Sequence, residues 1–233
     1  MKTRAQRPGT KPRARVWFVT GTDTGVGKTV LTALLVRRWR ELGVAARALK
    51  PLCSGGRNDA RVLCEAQGGG LSLDAVNPWH FRSALTPLVA AEREGRTVAL
   101  REVVRVVERA RAGCDVLVVE GAGGLLSPLG RDYDSRTLIR ALDAKPVVVT
   151  ANRLGCLSQV LLVLEGLGQV GTSAPVVLMQ PPRTSLAART NVDVLRERLG
   201  PDRVVEIPWL RAGWRAAWKG AWVDGLDRLL STR

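Results

Sequence analysis

The chain has 233 residues, of which 45% are hydrophobic and 24% charged, and its 36 Lys and Arg against 21 Asp and Glu give a formal charge of +15. A chain of this length and composition can bury a full core, which excludes wholesale disorder. No apolar run reaches the roughly 18 residues that a membrane-spanning helix needs, so we expect no membrane partner. The single histidine, His80, excludes a His-rich metal site.

The first fifteen residues contain six basic residues and no acidic one. They include no apolar stretch of the kind that a secretory signal requires, and we therefore expect a cytoplasmic protein. We interpret this segment as a basic, disordered tail (1–15) before one domain (16–233), with no nucleic acid partner; a basic arm that binds nucleic acid is the alternative. The four cysteines are widely spaced without a C-x-x-C pair, which favours free, buried thiols.

From residue 16 onward, short apolar runs alternate with longer amphipathic stretches. The runs predict strands at 16–20, 44–49, 115–120, 146–151, 176–180 and 204–207. The amphipathic stretches predict helices at 28–42, 59–67, 86–94, 100–112, 135–142, 157–168 and 186–199. Continuously apolar strands are typical of parallel strands covered on both faces. The sequence thus predicts an α/β fold with a single doubly wound, mainly parallel sheet and helices on both faces, whose ligands bind at the carboxyl ends of the strands.

A glycine-rich segment, GTDTGVGKT (21–29), follows the first predicted strand and leads into the first predicted helix. Glycines allow backbone amides to surround phosphate oxygens, and the helix N-terminus favours negative charge. In this pattern Lys28 would reach the β- and γ-phosphates, and the Thr29 hydroxyl would bind Mg²⁺. Five residues separate Gly21 from Gly27, one more than in an ordinary P-loop.

Charged residues follow two other strands of the predicted sheet. Lys50 ends the second strand, where a cation can stabilise the charge that develops in phosphoryl transfer. Glu120 ends the third strand, which is the position of a Walker B acid, and the glycines after it allow a ligand to approach closely. Asp59 opens a helix, so it is either a further metal ligand or a helix cap.

Two further patterns lie towards the C-terminus. The loop NRLGCLS (152–158) follows the fourth strand and leads into a helix, whose N-terminus suits a carboxylate; a plain strand-to-helix turn is the alternative. Trp214, Trp218 and Trp222 recur every four residues, which predicts one helical face packed against the core or a dimer partner. We interpret His80 as a structural residue.

Taken together, these segments resemble the dethiobiotin synthetases, ATP-dependent carboxylase-cyclases of biotin biosynthesis. The resemblance rests on GTDTGVGKT, KPLCSG, NPWHF, TPLVAA, VEGAGG, NRLGC and EIPWL, which occur in the family's order and span nearly the whole chain after the tail. It implies a P-loop NTPase-like fold, a homodimer, and a ligase that converts 7,8-diaminononanoate, CO₂ and ATP to dethiobiotin, ADP and phosphate with Mg²⁺. The alternative is a ParA/MinD-like ATPase switch that binds DNA or membrane; Asp23 stands where that class has its signature lysine, which argues against it.

The resemblance also implies roles for individual residues. Those expected to act in catalysis are Thr24, Lys28, Lys50 and Ser54. Those expected to bind the nucleotide are Gly25, Val26, Gly27, Lys28, Thr29, Val30, Asp59, Glu120, Gly121, Ala122, Gly123, Gln180, Pro181, Pro208, Trp209 and Leu210, with Thr29, Asp59 and Glu120 around Mg²⁺. Those expected to bind the substrate are Ser54 and, across the dimer interface, Gly155, Cys156, Leu157 and Ser158. Gln180 replaces the Asn common at the family's adenine-recognising position, and Arg215 stands where the family can supply an acid to the nucleotide.

Overall fold

The computed structural model describes residues 13–216 and 218–231. Its strands are β1 (Arg15–Gly21), β2 (Ala46–Leu49), β3 (Leu52–Ser54), β4 (Trp79–Phe81), β5 (Val116–Glu120), β6 (Lys145–Ala151), β7 (Val176–Met179) and β8 (Val204–Ile207). Its helices are α1 (Lys28–Glu41), α2 (Asn58–Ala66), α3 (Leu73–Val76), α4 (Pro87–Arg93), α5 (Leu100–Arg111), α6 (Ser135–Ala141), α7 (Cys156–Leu167), α8 (Leu186–Leu199) and α9 (Trp222–Ser231). Within the described ranges, none of these helices is long and apolar enough to cross a membrane.

Six of the strands form one sheet in the order β2-β5-β1-β6-β7-β8, and every neighbouring pair is parallel. The valine-rich strands are buried on both faces, because one hydrophobic cluster packs α1, α2 and α9 against the sheet and a second packs α4 to α8 against the other face. The predicted doubly wound, parallel sheet is therefore confirmed. β3 and β4 form a separate two-stranded parallel sheet.

Some short elements were not predicted from the sequence. β3, β4 and α3 have three or four residues each, too few to show a hydrophobic period. α9 was also missed, although Trp222, Leu226, Leu229 and Leu230 are buried along one face of it. The predicted tryptophan helix is wrong: Trp214 lies in a 3₁₀ turn and Trp222 begins α9, with a left-handed glycine, Gly220, between them. The three side chains nevertheless pack against the core.

The predicted tail boundary at residue 15 also needs correction. Arg15 is already the first residue of β1, Ala14 is buried, and Arg13 forms an ion pair with Glu108 of α5 at 2.6 Å. Residues 1–12 of the predicted tail lie outside the described residues. Of the cysteines, Cys53, Cys114 and Cys156 are buried as predicted, whereas Cys64 is only partly buried.

The strand register positions the functional end of the sheet. Leu49 of β2 lies beside Val119 of β5, so Lys50, which follows β2, lies next to Glu120, the last residue of β5. Val19 of β1 lies beside Glu120, so the segment that leaves β1 starts at the same edge. Three connections therefore meet at the carboxyl ends of adjacent parallel strands, as expected for a ligand site in such a sheet.

Candidate active site

The segment between β1 and α1 has the backbone of a phosphate-binding loop. Gly25 and Gly27 have φ values of 68° and 101°, a region that L side chains rarely adopt. At Gly27 an added Cβ would also lie 2.8 Å from Cγ of Met179, the last residue of β7. Lys28 Nζ donates a hydrogen bond to the carbonyl oxygen of Asp23 at 2.7 Å and closes the loop on itself. The predicted phosphate loop therefore has the glycine conformation and the adjoining helix that its function requires.

Next to this loop, four predicted residues from different segments converge. Lys50 Nζ lies 2.6 Å from Glu120 Oε1 and 3.0 Å from Asp59 Oδ2. The Thr29 hydroxyl, in the first turn of α1, donates to the same Glu120 oxygen at 2.8 Å. Lys50 and Glu120 are buried, whereas the Asp59 side chain is 47% exposed. Asp59 is thus part of a charged cluster at the cleft, rather than only a helix cap.

The two lysines of the site have opposite electrostatic environments. Burial, with repulsion from Lys50, lowers the pKa of Lys28 to about 8. Burial also acts to lower the pKa of Lys50, but the charges of Glu120 and Asp59 outweigh it and raise that pKa above its ordinary value. Although burial acts to raise the pKa of Asp59, Lys50 outweighs it and lowers that pKa. The positive charge of Lys50 is therefore stabilised by nearby carboxylates, whereas the positive charge of Lys28 is only weakly stabilised by the protein itself.

These residues open into a cleft of about 510 Å³. Its lining includes most of the residues predicted for phosphate, metal and substrate: Thr24, Gly25, Gly27, Lys28, Thr29, Val30, Lys50, Ser54, Asp59, Glu120, Ala122 and Gly123. Two residues that lie within these same motifs, Val26 and Gly121, do not line it. Val26 is buried in the core, and a Cβ at Gly121 would meet the Phe18 ring at 2.9 Å, so Gly121 supports the packing beneath the site. Cys53, Gly56 and Asn58 also line the cleft and were not predicted.

The carboxylate end of the cleft fits a hard cation. Glu120 Oε2 is buried and has no hydrogen-bond partner in the described part of the chain. Thr29 and Asp59 supply further oxygen atoms close to it, and oxygen ligands are those that Mg²⁺ prefers. Among the described residues, there is no group of three or more His, Cys, Asp and Glu side chains that could hold a metal. A metal at this site would therefore depend on Thr29, Asp59 and Glu120 together with oxygen atoms of a ligand.

A second pocket, of about 460 Å³, lies at the ends of β7 and β8. Four of the residues predicted to contact the nucleotide, Gln180, Pro181, Pro208 and Trp209, line it. Gln180 Oε1 is buried without a partner in the described residues, which leaves a hydrogen-bond acceptor unused. The fifth residue, Leu210, is not in the lining and packs against the core. Arg215 does not line this pocket either: it pairs with Glu65 and lies over the Trp214 ring at 4.6 Å.

The loop between β6 and α7 lies outside the main cleft. Gly155 has a φ of 89° and immediately precedes α7, whose first residue, Cys156, is buried. Leu157 and Ser158 line a separate groove of about 500 Å³ against α8. Leu154, beside them, is 85% exposed. None of the predicted substrate-carboxylate residues lines the phosphate cleft of the same chain, so their predicted role across a dimer interface stays a prediction.

His80 has a structural contact, as predicted. Its Nε2 lies 2.7 Å from the carbonyl oxygen of Gly55, in the loop that follows β3 and leads to the cleft. Ser54, at the end of β3, donates its hydroxyl hydrogen to the carbonyl of Leu85. These contacts fix one wall of the cleft.

The glycine-rich loop, the acid at the end of β5 and the parallel sheet define a P-loop nucleotide-binding protein. A family model described as an AAA domain matches residues 15–213. The chain is 34% identical over 208 residues to the ATP-dependent dethiobiotin synthetase BioD of Aromatoleum aromaticum, covering 85% of this chain and 92% of that protein. It is 37% identical over 196 residues to BioD of Xylella fastidiosa strain Temecula1, covering 78% and 85%. The chain therefore belongs to the family of ATP-dependent dethiobiotin synthetases.

The similarity to solved structures concerns the fold alone. The MinC:MinD cell division complex of Aquifex aeolicus matches with a TM-score of 0.58 and 16% identity, covering 94% of this chain and 97% of that chain. This match supports the doubly wound architecture, and its low identity carries no argument about activity.

Proposed function

We propose that this protein is a Mg²⁺-dependent ligase that uses ATP to convert 7,8-diaminononanoate and CO₂ to dethiobiotin, a step of biotin biosynthesis. The observation that carries the proposal is the convergence of Lys50, Glu120 and Thr29 beside the phosphate loop. It occurs in a chain that spans 92% of the length of a dethiobiotin synthetase relative. The open cleft at this point accommodates the phosphates and a small substrate together.

The reaction needs little covalent chemistry from the protein. One substrate amine adds to CO₂ and loses a proton, which gives a carbamate anion. A carbamate oxygen attacks the γ-phosphorus of ATP and releases ADP, which gives a carbamic-phosphoric anhydride. The second amine attacks the anhydride carbon, loses a proton, expels phosphate and closes the ureido ring. Each step develops or moves negative charge, so positioned cations and donors are sufficient for catalysis.

The side chains of the cleft meet these requirements. Lys28 lies in the phosphate loop and supplies positive charge to the β- and γ-phosphates. Lys50 is held in place by Glu120 and Asp59 and supplies positive charge where the carbamate meets the γ-phosphorus. Ser54 and Thr24 also line the cleft, where they would orient the substrate and the transferred group.

Thr29, Asp59 and Glu120 would hold Mg²⁺, which would neutralise negative charge on the phosphates during transfer. The unused Oε2 of Glu120 supports this assignment. The pocket with Gln180 would hold the adenine base, because Oε1 of Gln180 can accept a hydrogen bond from an exocyclic amino group.

The proposal includes a homodimer in which the segment 155–158 of one subunit binds the substrate carboxylate in the cleft of the other. The amides at the start of α7 suit an anion, and the neighbouring Leu154 and Leu162, 85% and 69% exposed, would be covered by a partner subunit. We place the protein in the cytoplasm, where ATP is available and thiols such as Cys53 stay reduced.

The test combines the purified protein with ATP, Mg²⁺, bicarbonate and 7,8-diaminononanoate and measures dethiobiotin by mass spectrometry. We expect product only when all four components are present, and we expect Glu120→Gln to need more Mg²⁺. Lys50→Ala should abolish most turnover, whereas Lys145→Ala, at the opposite end of the sheet on β6, should retain it. ATP hydrolysis that needs no diamine and rises with DNA or lipid would overturn the proposal in favour of an ATPase switch.

A further inference from the structure

Lys50 is held at both of its ends. Its ammonium contacts Glu120 and Asp59 at 2.6 and 3.0 Å. Its backbone carbonyl accepts a hydrogen bond from Asn77 Nδ2 at 2.9 Å, and its backbone N–H donates to the carbonyl of Val76 at 2.9 Å. The next residue along the chain is a proline, which has no N–H to fix the backbone at this point. The Asn77 amide, which is 1% exposed, therefore anchors the end of β2 from the side.

Asn77 is itself held by Arg57. Arg57 Nε donates to Asn77 Oδ1 at 3.1 Å, and Nη2 donates to the Asn77 carbonyl at 2.9 Å. The same Nη2 donates to the carbonyl of Leu73 at 3.2 Å and pairs with Asp74 at 2.8 Å. A guanidinium that binds one residue through two N–H groups fixes orientation as well as distance.

These contacts form a closed circuit. Arg57 immediately precedes α2, and Asp59 lies in the first turn of α2. The path runs from the Lys50 carbonyl to Asn77, then to Arg57, along the chain to Asp59, and from Asp59 back to the Lys50 ammonium. The start of α2 and the end of β2 are thereby tied together on both sides of the lysine.

We propose that Asn77 and Arg57 are positioning residues that set the Lys50 ammonium against Asp59 and the phosphate cleft. Neither side chain is in the lining of the cleft, so both act through Lys50. This inference rests on the proposed function, in which Lys50 stabilises the charge of phosphoryl transfer. A displacement of a catalytic group by about 1 Å can lower a rate about a hundredfold, so the loss should fall on turnover and not on substrate binding.

Two variants separate the links of the circuit. Asn77→Asp keeps the acceptor for Arg57 and loses the donor to the Lys50 carbonyl. Arg57→Lys keeps the positive charge near Asp74 and loses the two-point contact with Asn77. We expect kcat to fall about ten- to a hundredfold for Asn77→Asp and about tenfold for Arg57→Lys, with KM for ATP and for the diamine unchanged within about twofold.

Matched controls come from the same region. Asp74→Asn removes the exposed partner of Arg57, and Arg61→Met removes a neighbouring arginine of α2 whose guanidinium contacts Asn58. Both controls should keep the wild-type kcat. Crystal structures of Asn77→Asp and Arg57→Lys add a readout that does not depend on turnover: we expect the distance between Lys50 Nζ and Asp59 Oδ2 to lengthen beyond hydrogen-bond range in at least the first.

The outcomes are distinguishable. Wild-type kcat in both variants, or an unchanged position of Lys50 in their crystal structures, would overturn the inference. A lower melting temperature with normal kcat in the folded fraction would also overturn it, because it would reduce Asn77 to a purely structural residue. A wild-type protein that forms no dethiobiotin would refute the proposed function instead, while the crystal structures would still decide the positioning role.

Discussion

Replacing Lys50 by methionine tests how the charged cluster contributes to stability. The side chains of Lys50 and Glu120 are 5% and 0% exposed, whereas that of Asp59 is 47% exposed. Removing one partner of a buried ion pair leaves an uncompensated charge and costs about 3–5 kcal/mol. An exposed pair contributes about 1 kcal/mol at most. We therefore expect Lys50→Met to lower the free energy of unfolding by at least about 3 kcal/mol, and Asp59→Asn by less than about 1 kcal/mol.

Urea denaturation of the nucleotide-free protein at pH 7 measures both changes, and thermal unfolding gives a second reading. For a chain of this size about 1 kcal/mol shifts the melting temperature by about 2–4 °C, so Lys50→Met should lower it by roughly 6–20 °C. The double variant Lys50→Met with Glu120→Gln should recover most of the loss, because Glu120 is then no longer a buried charge without its partner. If Lys50→Met lost no more stability than Asp59→Asn, the buried pair would not be the main electrostatic contact of the site.

Three further predictions concern the stability of the nucleotide-binding residues and their affinity for nucleotide. The pKa of Lys28 is lowered to about 8 from an ordinary 10.5, so its charge destabilises the folded protein fully below pH 8 and progressively less up to pH 10.5. Urea denaturation should therefore find Lys28→Met more stable than the wild type at pH 7, by a difference in the free energy of unfolding that narrows at higher pH. Calorimetry should find that this variant binds no nucleotide. Gly27→Ala should lower the free energy of unfolding by about 1–2 kcal/mol because of its left-handed backbone, and by a further amount because the new Cβ would contact Met179. Gly25→Ala has open space around its Cβ position, so in the same urea assay it should show only the loss due to the backbone. Gln180→Met should keep its stability and weaken nucleotide binding about tenfold in calorimetry, because it removes an unused buried acceptor.

The general position of the site follows from rules that act along the sequence. Continuously apolar runs indicate parallel strands, and parallel strands bring their carboxyl ends to one edge. Lys50 follows such a run and Glu120 ends another, so their position at the same edge of the sheet could be predicted, whereas the pairing of β2 with β5 that makes them neighbours is visible only in the structure. The lining of the cleft could not be predicted residue by residue: Val26 and Gly121 lie within the motifs, but the local backbone turns Val26 into the core and packs Gly121 against Phe18.

The contacts that support Lys50 could not be predicted from the sequence, for a different reason. Asn77 binds Arg57 and Lys50, which lie 20 and 27 residues away along the chain, through side-chain hydrogen bonds that produce no periodicity. The short strands β3 and β4, which bring the segment around Asn77 beside the cleft, are likewise too short to show a pattern. Long-range polar contacts of this kind depend on the packed fold, so they become visible only in three dimensions.

The charges of the cleft also show how its two ends differ. Lys28 has no carboxylate within ion-pair distance among the described residues, and its pKa is lowered by burial, so it is a cation in need of an anion. Glu120 keeps one buried oxygen without a partner in the same part of the chain, so it is an anion with room for a cation. Lys50, by contrast, is compensated by two carboxylates. A ligand with both a phosphate chain and a bound divalent cation satisfies both ends at once, and neither component alone does so, because each would leave one buried group without its partner.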